Sequence, residues 1–269
     1  MYAIAAEEMD IVKRHLDHLL LTLNVQKTEL MAFSISPTDY PLLHPLFIHA
    51  CRDSRCCDCQ PIRVSDRVRY LGLFLDAKLN WTYHLEYINK RLRKTIHIFK
   101  ELSHILDNRS TWQAYYSLCQ SLLLYGIIGW DGTSTTLFDK LRTTQRLILK
   151  IILRRPRLYP TEQLFAEAKV LDVRQLYIKT ALIHFKRHPQ DMQRRTHGYP
   201  TRTRTSVLPP RMKKRFGQRH YLFLAPKFFN LVPDDIKIIV NNSKFKKKIH
   251  EWLLEKGGPE VERMLTVQV

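Results

Sequence analysis

Residues 81–106, WTYHLEYINKRLRKTIHIFKELSHIL, decide the fold. Their apolar side chains recur at the spacing of one face of an α-helix. These are Leu85, Ile88, Leu92, Ile96, Phe99 and Leu106. The remaining faces carry five cations, Lys90, Arg91, Arg93, Lys94 and Lys100. The pattern therefore predicts a long amphipathic helix with one buried face and one strongly basic face.

More helices are predicted towards the C-terminus. Ser110 and Gln113 have capping-box spacing, which predicts that the next helix starts there and ends near Gly126. A third helix is expected over residues 136–153.

Two further helices complete this half of the chain. Asp172 and Gln175 again have capping spacing, so a helix is expected over residues 173–187. The last helix is predicted to begin near Ser243 and to stop at Gly257.

Towards the N-terminus the pattern changes to one helix and short strands. Apolar residues at helix spacing predict the helix: Val12, Leu16, Leu19, Leu20 and Leu23. Residues 29–35, 46–50 and 67–76 are predicted strands. The expected fold class is α+β, with a small antiparallel sheet and one helix followed by a mostly α-helical region.

The charge balance indicates the kind of partner. There are 44 Lys and Arg against 25 Asp and Glu, a formal net charge of +19. Such a charge favours nucleic acid, whose condensed counterions are released when phosphates are neutralised. An anionic membrane surface is the weaker alternative, and no membrane partner is expected. The densest basic window is residues 186–219, interpreted as an arm that follows a nucleic-acid backbone or as a solvated linker.

No segment approaches the roughly 20 apolar residues that a membrane span requires. The N-terminus also lacks the pattern of a signal peptide, so an intracellular protein of the nucleus or cytoplasm is expected, not a secreted one. Four of the five cysteines fall within residues 51–59, and they are interpreted as reduced thiols or metal ligands. The zinc alternative would use four soft ligands, His49, Cys51, Cys56 and Cys59.

Four short runs occur in an order that points to one family. They are residues 23–29 (LNVQKTE), 68–81 (VRYLGLFLDAKLNW), 124–130 (LYGIIGW) followed by Gln145 and Arg146, and 216–233 (FGQRHYLFLAPKFFNLVP) followed by FKKK at 245–248. Together they resemble the palm end, thumb and C-terminal segment of LINE-type (non-LTR) retrotransposon reverse transcriptases, in particular Jockey-like elements. The resemblance covers nearly the whole chain.

The resemblance implies a role for each run. Lys27 would lie near nucleotide phosphates and act as a general acid in a complete palm; otherwise it is a solvated turn lysine. Tyr70 and Gly72 match a primer-grip hairpin, with a core strand as the alternative. Phosphate contacts are expected from the thumb helix, through Lys90, Arg91, Arg93 and Lys94, and from the basic arm, through Arg211, Lys213, Lys214 and Arg215.

By the same resemblance, the regions are a palm remnant (1–79), a helical thumb (80–155), a helical extension (156–188), a basic linker or arm (189–220) and a C-terminal segment (221–269). Polymerases of this kind hold two magnesium ions on carboxylates. Their aromatic-Ala-Asp-Asp motif is missing here, and the one adjacent pair, Asp234 and Asp235, follows Pro233 and is interpreted as the start of a helix. The catalytic motifs are expected upstream of Met1.

The function expected from the sequence is that of a truncated reverse transcriptase that binds RNA, DNA or their hybrid without polymerising alone. No cofactor is expected, since magnesium would bind only to a complete polymerase. Two alternatives stay open: a fragment that completes a polymerase in trans, and a decayed open reading frame without activity.

Overall fold

The structure is a computed structural model that describes residues 2–34, 45–48, 59, 61–130, 135–191, 193–194 and 206–266. The chain divides into two compact units, Met1–Tyr83 and His84–Val269. Short strands occupy the first unit and helices dominate the second, which confirms the predicted α+β fold class. Along the described ranges, no helix has both the length and the apolar character needed to cross a bilayer.

The first unit contains one helix and two strand pairs. Its elements are α1 (Tyr2–His18), a 3-10 turn (Val25–Lys27), β1 (Glu29–Leu30), β2 (Arg63–Val64), β3 (Arg67–Tyr70) and β4 (Leu73–Asp76). Strands β3 and β4 form the antiparallel hairpin expected over residues 67–76. Strands β1 and β2 pair in parallel, an arrangement that the sequence did not indicate.

Two of the predicted strands are shorter than expected. The strand predicted over residues 29–35 stops at Leu30, because its partner β2 is only two residues long. In the strand predicted over 46–50, the described part forms only a single bridge between Phe47 and Pro61.

A small core holds the first unit together. Leu46, Ile48 and Ile62 are buried, and Ala6 and Met9 of α1 pack against them. The helix therefore faces inward through its first half. The predicted helix is confirmed, but it ends at His18, before Leu19, Leu20 and Leu23, and Val12 on it is exposed.

Leu71 and Gly72 form the two-residue turn between β3 and β4. Both have positive φ, 46° and 84°, as a tight hairpin with the right-handed strand twist requires. Gly72 was predicted inside a strand, where it would admit another backbone. It is instead a turn residue whose missing Cβ permits the left-handed conformation. Leu71 is exposed at the tip rather than alternating with Leu73 into a core.

The second unit is built from helices. They are α2 (Thr82–Ile105, which begins in the first unit), α3 (Asn108–Tyr115), α4 (Ser121–Leu124), α5 (Ile127–Trp130), α6 (Thr135–Ile152), α7 (Thr161–Ala168), α8 (Val173–Arg187), α9 (Arg215–Gln218), α10 (Tyr221–Leu231), α11 (Asp234–Lys237) and α12 (Asn242–Thr266). A π-helical segment, Tyr116–Gln120, joins α3 to α4. One short strand pair, β5 (Gln193–Arg194) with β6 (Val207–Leu208), follows α8.

Helix α8 lies at the centre of this unit, with α4, α5, α6, α10 and α12 packed around it. Its buried residues point to several sides, as expected of a helix enclosed by others. They include Leu176, Tyr177, Ile178, Ala181, Leu182 and Phe185. The predicted capping box at its start is confirmed. Asp172 accepts from the main-chain N–H of Gln175 at 2.9 Å, and Gln175 accepts in return at 2.9 Å.

The start of α3 differs from the prediction. The helix begins at Asn108 with Asp107 before it, so Ser110 lies inside the first turn rather than at the cap. Aspartate is as good an N-terminal residue as serine, but the Asp107 side chain makes no capping hydrogen bond to this helix.

The last helix is interrupted where the sequence predicted a stop. Gly257 has φ 66° and ψ 172°, a conformation that only glycine adopts readily, and the chain resumes a helical course after it. The Asp234–Asp235 pair opens α11 directly after Pro233, as predicted.

Candidate nucleic-acid interface

Helix α2 presents three of the predicted cations on one stripe. Lys90, Arg93 and Lys94 are three and four residues apart, so they are neighbours on the helix surface. All three are exposed, while Leu85, Ile88, Leu92 and Phe99 are buried on the opposite side. Burial of that apolar stripe fixes the direction in which the basic stripe faces.

A groove between α2 and α6 collects these cations. Its volume is about 480 Å³, and Lys90, Arg93 and Lys94 line one side while Lys140 of α6 lines the other. Leu85 and Leu137, both buried, are the apolar side chains of its lining. Two separate helices thus contribute positive charge to one concave surface.

A hydrogen bond fixes the two walls of the groove relative to each other. The Thr144 hydroxyl of α6 donates to Oδ1 of Asn89 on α2 at 2.7 Å. Asn89 itself lines the groove, and its amide N–H groups bond to no described residue. The amide therefore supplies two neutral donors beside the cations.

The four groove cations are available to a ligand. Within the described ranges, the side chains of Lys90, Arg93, Lys94 and Lys140 form no ion pair and no hydrogen bond. Four uncompensated positive charges around a groove attract an anion and raise its local concentration.

Other cations of this unit are already neutralised. Arg142 lies 3.1 Å from Asp172, and Arg174 lies 2.9 Å from Glu262 and 3.0 Å from Asp139. These pairs tie α6 and α8 to the C-terminal part of α12. The contrast distinguishes structural arginines from the unpaired cations of the groove.

One carboxylate also lines the groove. Glu86 is exposed one helical turn before Lys90. Its negative charge opposes an anionic ligand at that end, so the attractive part of the groove is centred on Lys94 and Lys140. His84, farther towards the start of α2, adds no charge at neutral pH because burial lowers its pKa to about 4.

Arg91, the fourth cation predicted on this helix, lies elsewhere. Its guanidinium is 5.7 Å from the ring centre of Tyr87 and 3.5 Å from the Tyr87 hydroxyl. It is not among the groove residues. Lys140 takes its place, and no local pattern in the sequence links that lysine to α2.

The predicted residues of the first unit form a separate set. Lys27 is exposed in the 3-10 turn, which Asn24 closes by accepting from the Lys27 main-chain N–H at 3.1 Å. The Thr28 hydroxyl donates to the carbonyl of Asn24 at 2.8 Å, so this run first of all builds the turn. Tyr70 is exposed at the end of β3, next to the turn that contains Gly72.

Asp76 organises the loop that follows β4. Its carboxylate accepts from the main-chain N–H groups of Lys78 at 3.1 Å, Asn80 at 2.9 Å and Trp81 at 2.9 Å. Leu79 and Trp81 have positive φ in the same loop. The carboxylate thus stabilises the strained entry into α2, a structural role that the sequence reading had not assigned.

The predicted arm is anchored in its described part. Val207 of β6 is buried, and the amide of Asn230 on α10 bonds both its N–H and its carbonyl at 2.9 Å. Arg211, Lys213 and Lys214 are exposed just before α9, but they do not line the groove. The side chain of Arg215 lies outside the described residues.

Most of the cysteine cluster also lies outside the described residues, including His49, Cys51 and Cys56. Cys59 is described and is half-buried. In the described part of the chain, no group of three or more potential ligands is positioned to hold a metal ion. The zinc site stays a prediction.

No family model matches this chain, and no curated protein or solved structure matches it either.

Proposed function

We propose that this chain binds nucleic acid through the sugar–phosphate backbone, in the groove between α2 and α6. The observation that carries the proposal is the convergence of Lys90, Arg93, Lys94 and Lys140, all without an ion-pair partner in the described structure. Phosphate oxygens are the ligands that such cations bind in nucleic acids.

The arrangement suits a repeating anion. Lys90 and Lys94 are one helical turn apart, about 6 Å along the axis, close to the rise of two nucleotides in one strand at roughly 7 Å. The Asn89 amide adds donors for a phosphate or sugar oxygen. Contacts of this kind carry no base information, so binding is expected to be independent of sequence and strongly dependent on salt.

We further propose that the chain derives from the palm end, thumb and C-terminal segment of a LINE-type reverse transcriptase. The four sequence runs support this origin, and so does the succession of a tight hairpin, a long basic helix and a helical region. In this proposal α2 acts as a thumb helix that grips a template–primer duplex. We also propose that the chain alone does not polymerise. Magnesium-dependent primer extension by the purified chain would contradict this.

Apolar exposure on α1 favours a second candidate, completion of a polymerase in trans. Ile4, Ile11 and Val12 are 62%, 51% and 47% exposed, and a helix of a folded protein ordinarily buries such side chains. In this candidate, a palm supplied by another chain covers them. Ile4→Ser with Ile11→Ser should then abolish restored primer extension when the missing palm is added, while leaving binding to the groove unchanged.

Competition between two polyanions tests the main proposal. The full chain is mixed with a labelled RNA–DNA hybrid and with vesicles that contain anionic lipid, at matched salt and equal phosphate concentration. Preferential binding to the hybrid supports the proposal. Preferential binding to the vesicles would contradict it and favour a membrane-surface role.

A further inference from the structure

A second cluster of cationic side chains lies where α8 packs on α12. The Lys179 ammonium of α8 is 3.3 Å from Nδ1 of His250 on α12. The other ring nitrogen, Nε2, is 3.2 Å from the main-chain carbonyl of Lys169 at the end of α7. Three helical elements therefore meet at this imidazole, and Lys179 and His250 are both half-buried.

The hydrogen bonds define the tautomer of His250. A carbonyl oxygen only accepts, so Nε2 carries the proton and donates to Lys169. Nδ1 is then the acceptor for the Lys179 ammonium. Burial, and after it the charge of Lys179, lowers the pKa of His250, so the ring is neutral beside a charged lysine.

Lys246 adds another positive charge. It is half-buried, one helical turn before His250 on the same face of α12. Burial and the charge of Lys246 both lower the pKa of Lys179. The Lys246 side chain makes no hydrogen bond or ion pair with any described residue. Like charges are thus held close together in partly desolvated positions.

Glu251 is the carboxylate that acts on this cluster. Burial and the charge of Lys179 lower the pKa of His250, and the negative charge of Glu251 raises it. The Glu251 carboxylate is already bonded to the Lys248 ammonium at 2.9 Å, and in the described structure neither Lys179 nor Lys246 forms an ion pair. A half-buried set of cations without ion-pair partners is costly unless an anion binds to it.

We propose that Lys179, Lys246 and His250 form a phosphate-binding site. Lys179 and Lys246 act as compact charged donors, a form of cation suited to phosphate. The bound anion favours protonation of His250 at Nδ1, which then donates to a phosphate oxygen in place of accepting from Lys179. The only covalent change in this step is that Nδ1 of His250 takes up one proton.

The site is distinct from the groove between α2 and α6, and it does not depend on that groove binding nucleic acid. Two sources of phosphate fit the chemistry: a phosphodiester of a nucleic-acid strand, and a free or terminal phosphate. They differ in charge and in steric freedom, so two probes distinguish them.

The test follows the His250 ring by NMR across pH in the full chain, at constant ionic strength. The probes are chloride alone, inorganic phosphate, and a short thymidine oligonucleotide without terminal phosphates. Phosphate should raise the pKa of His250 relative to chloride, because the anion stabilises the imidazolium. The same titration series, repeated at fixed pH, gives the affinity for each probe.

Lys246→Gln is the decisive variant, because its side chain makes no bond on which folding depends. It should weaken phosphate binding about tenfold, the effect expected for one charge-assisted hydrogen bond. Lys247→Gln is the matched control, with the same charge change at the adjacent exposed position. It should leave the affinity within about twofold of the original protein, because Lys247 contributes only a solvent-screened charge.

Each outcome decides the proposal. A His250 shift with phosphate alone assigns a free or terminal phosphate, and a shift with both probes assigns the phosphodiester as well. A shift with the oligonucleotide alone assigns the backbone. No shift with either probe, or equal losses in Lys246→Gln and Lys247→Gln, would overturn the proposal. Replacing the four groove cations should leave the His250 shift intact, which keeps the two sites experimentally separate.

Discussion

The Lys186 ammonium lies 3.9 Å from the ring centre of Phe245, so a lysine of α8 covers an aromatic residue of α12. The same ammonium donates to the main-chain carbonyls of Lys237 and Ile239. It therefore satisfies carbonyl groups at and beyond the end of α11, which a short helix leaves without partners. Lys186 opens the most basic window of the sequence, but it is a structural residue.

Replacing Lys186 with methionine should lower the free energy of unfolding by about 2 kcal/mol, through loss of two carbonyl partners and a cation–π contact. Urea unfolding followed by circular dichroism measures the change. Arg187→Met is the control, since Arg187 is the adjacent exposed cation. Equal stability of the two variants would show that the contacts of Lys186 contribute nothing beyond its charge.

Acid should destabilise the protein through His84. The pKa of His84 is 6.5 in the unfolded chain, and burial lowers it to about 4 in the folded protein. Stability supplied by the neutral buried ring is therefore complete above pH 6.5 and is lost as pH falls from 6.5 towards 4. The loss amounts to about 3 kcal/mol at most.

Urea midpoints at pH 7 and at pH 4.5 test this dependence. His84→Gln should be less stable at pH 7 but show a shallower fall towards pH 4.5. His97→Gln, on an exposed face of the same helix, should retain the full fall. A fall that is unchanged in His84→Gln would assign the acid sensitivity to other groups.

The hairpin tip offers a stabilising substitution. Leu71 holds φ 46°, which costs a leucine roughly 1 kcal/mol, and asparagine adopts this conformation more readily. Leu71→Asn should therefore stabilise the first unit by up to about 1 kcal/mol. Hydrogen exchange of the β3 and β4 amides measures the change locally. Leu73→Asn, in the adjoining strand, should instead destabilise the hairpin. Equal hydrogen-exchange protection in the two variants would contradict the claim that the positive φ of Leu71 costs stability.

Opposite effects are expected from the two charges at one end of the groove. Glu86→Gln removes a carboxylate that repels phosphate and should tighten binding of an RNA–DNA hybrid about threefold. Lys90→Gln should weaken it by a similar or larger factor. Fluorescence anisotropy at low salt measures both. Effects of the same sign in the two variants would show that the nucleic acid does not enter this end.

Structural features that depend only on residues within one or two helical turns of each other were predictable from the sequence. The apolar spacing of residues 81–106 matches α2 closely, and Asp172 with Gln175 marks the start of α8 because both partners of the capping box are local. Gly257 interrupts α12 for an equally local reason, the positive φ that its missing Cβ permits.

Features that depend on distant partners were not predictable in this way. The core that α1 packs against consists of Leu46, Ile48 and Ile62, which follow the helix by many residues, so its apolar spacing could not show where the helix packs. Lys140 joins the groove only because α6 packs beside α2. Lys186 looked like part of an arm because its charge is visible in the sequence and its carbonyl partners are not.

The salt dependence of hybrid binding tests the central claim most directly. The logarithm of the association constant is measured against the logarithm of salt concentration for the original chain and for Lys90, Arg93, Lys94 and Lys140 replaced together by glutamine. A control carries the same charge loss at four exposed cations outside the groove: Lys100, Arg109, Arg157 and Arg187.

The slope should become shallower by about 3 in the groove variant, because close to one counterion is released per phosphate contact, and by less than about 1 in the control. Equal changes in the two variants would reduce the binding to a general effect of net charge. An unchanged slope in the groove variant would contradict the assignment of the interface to α2 and α6.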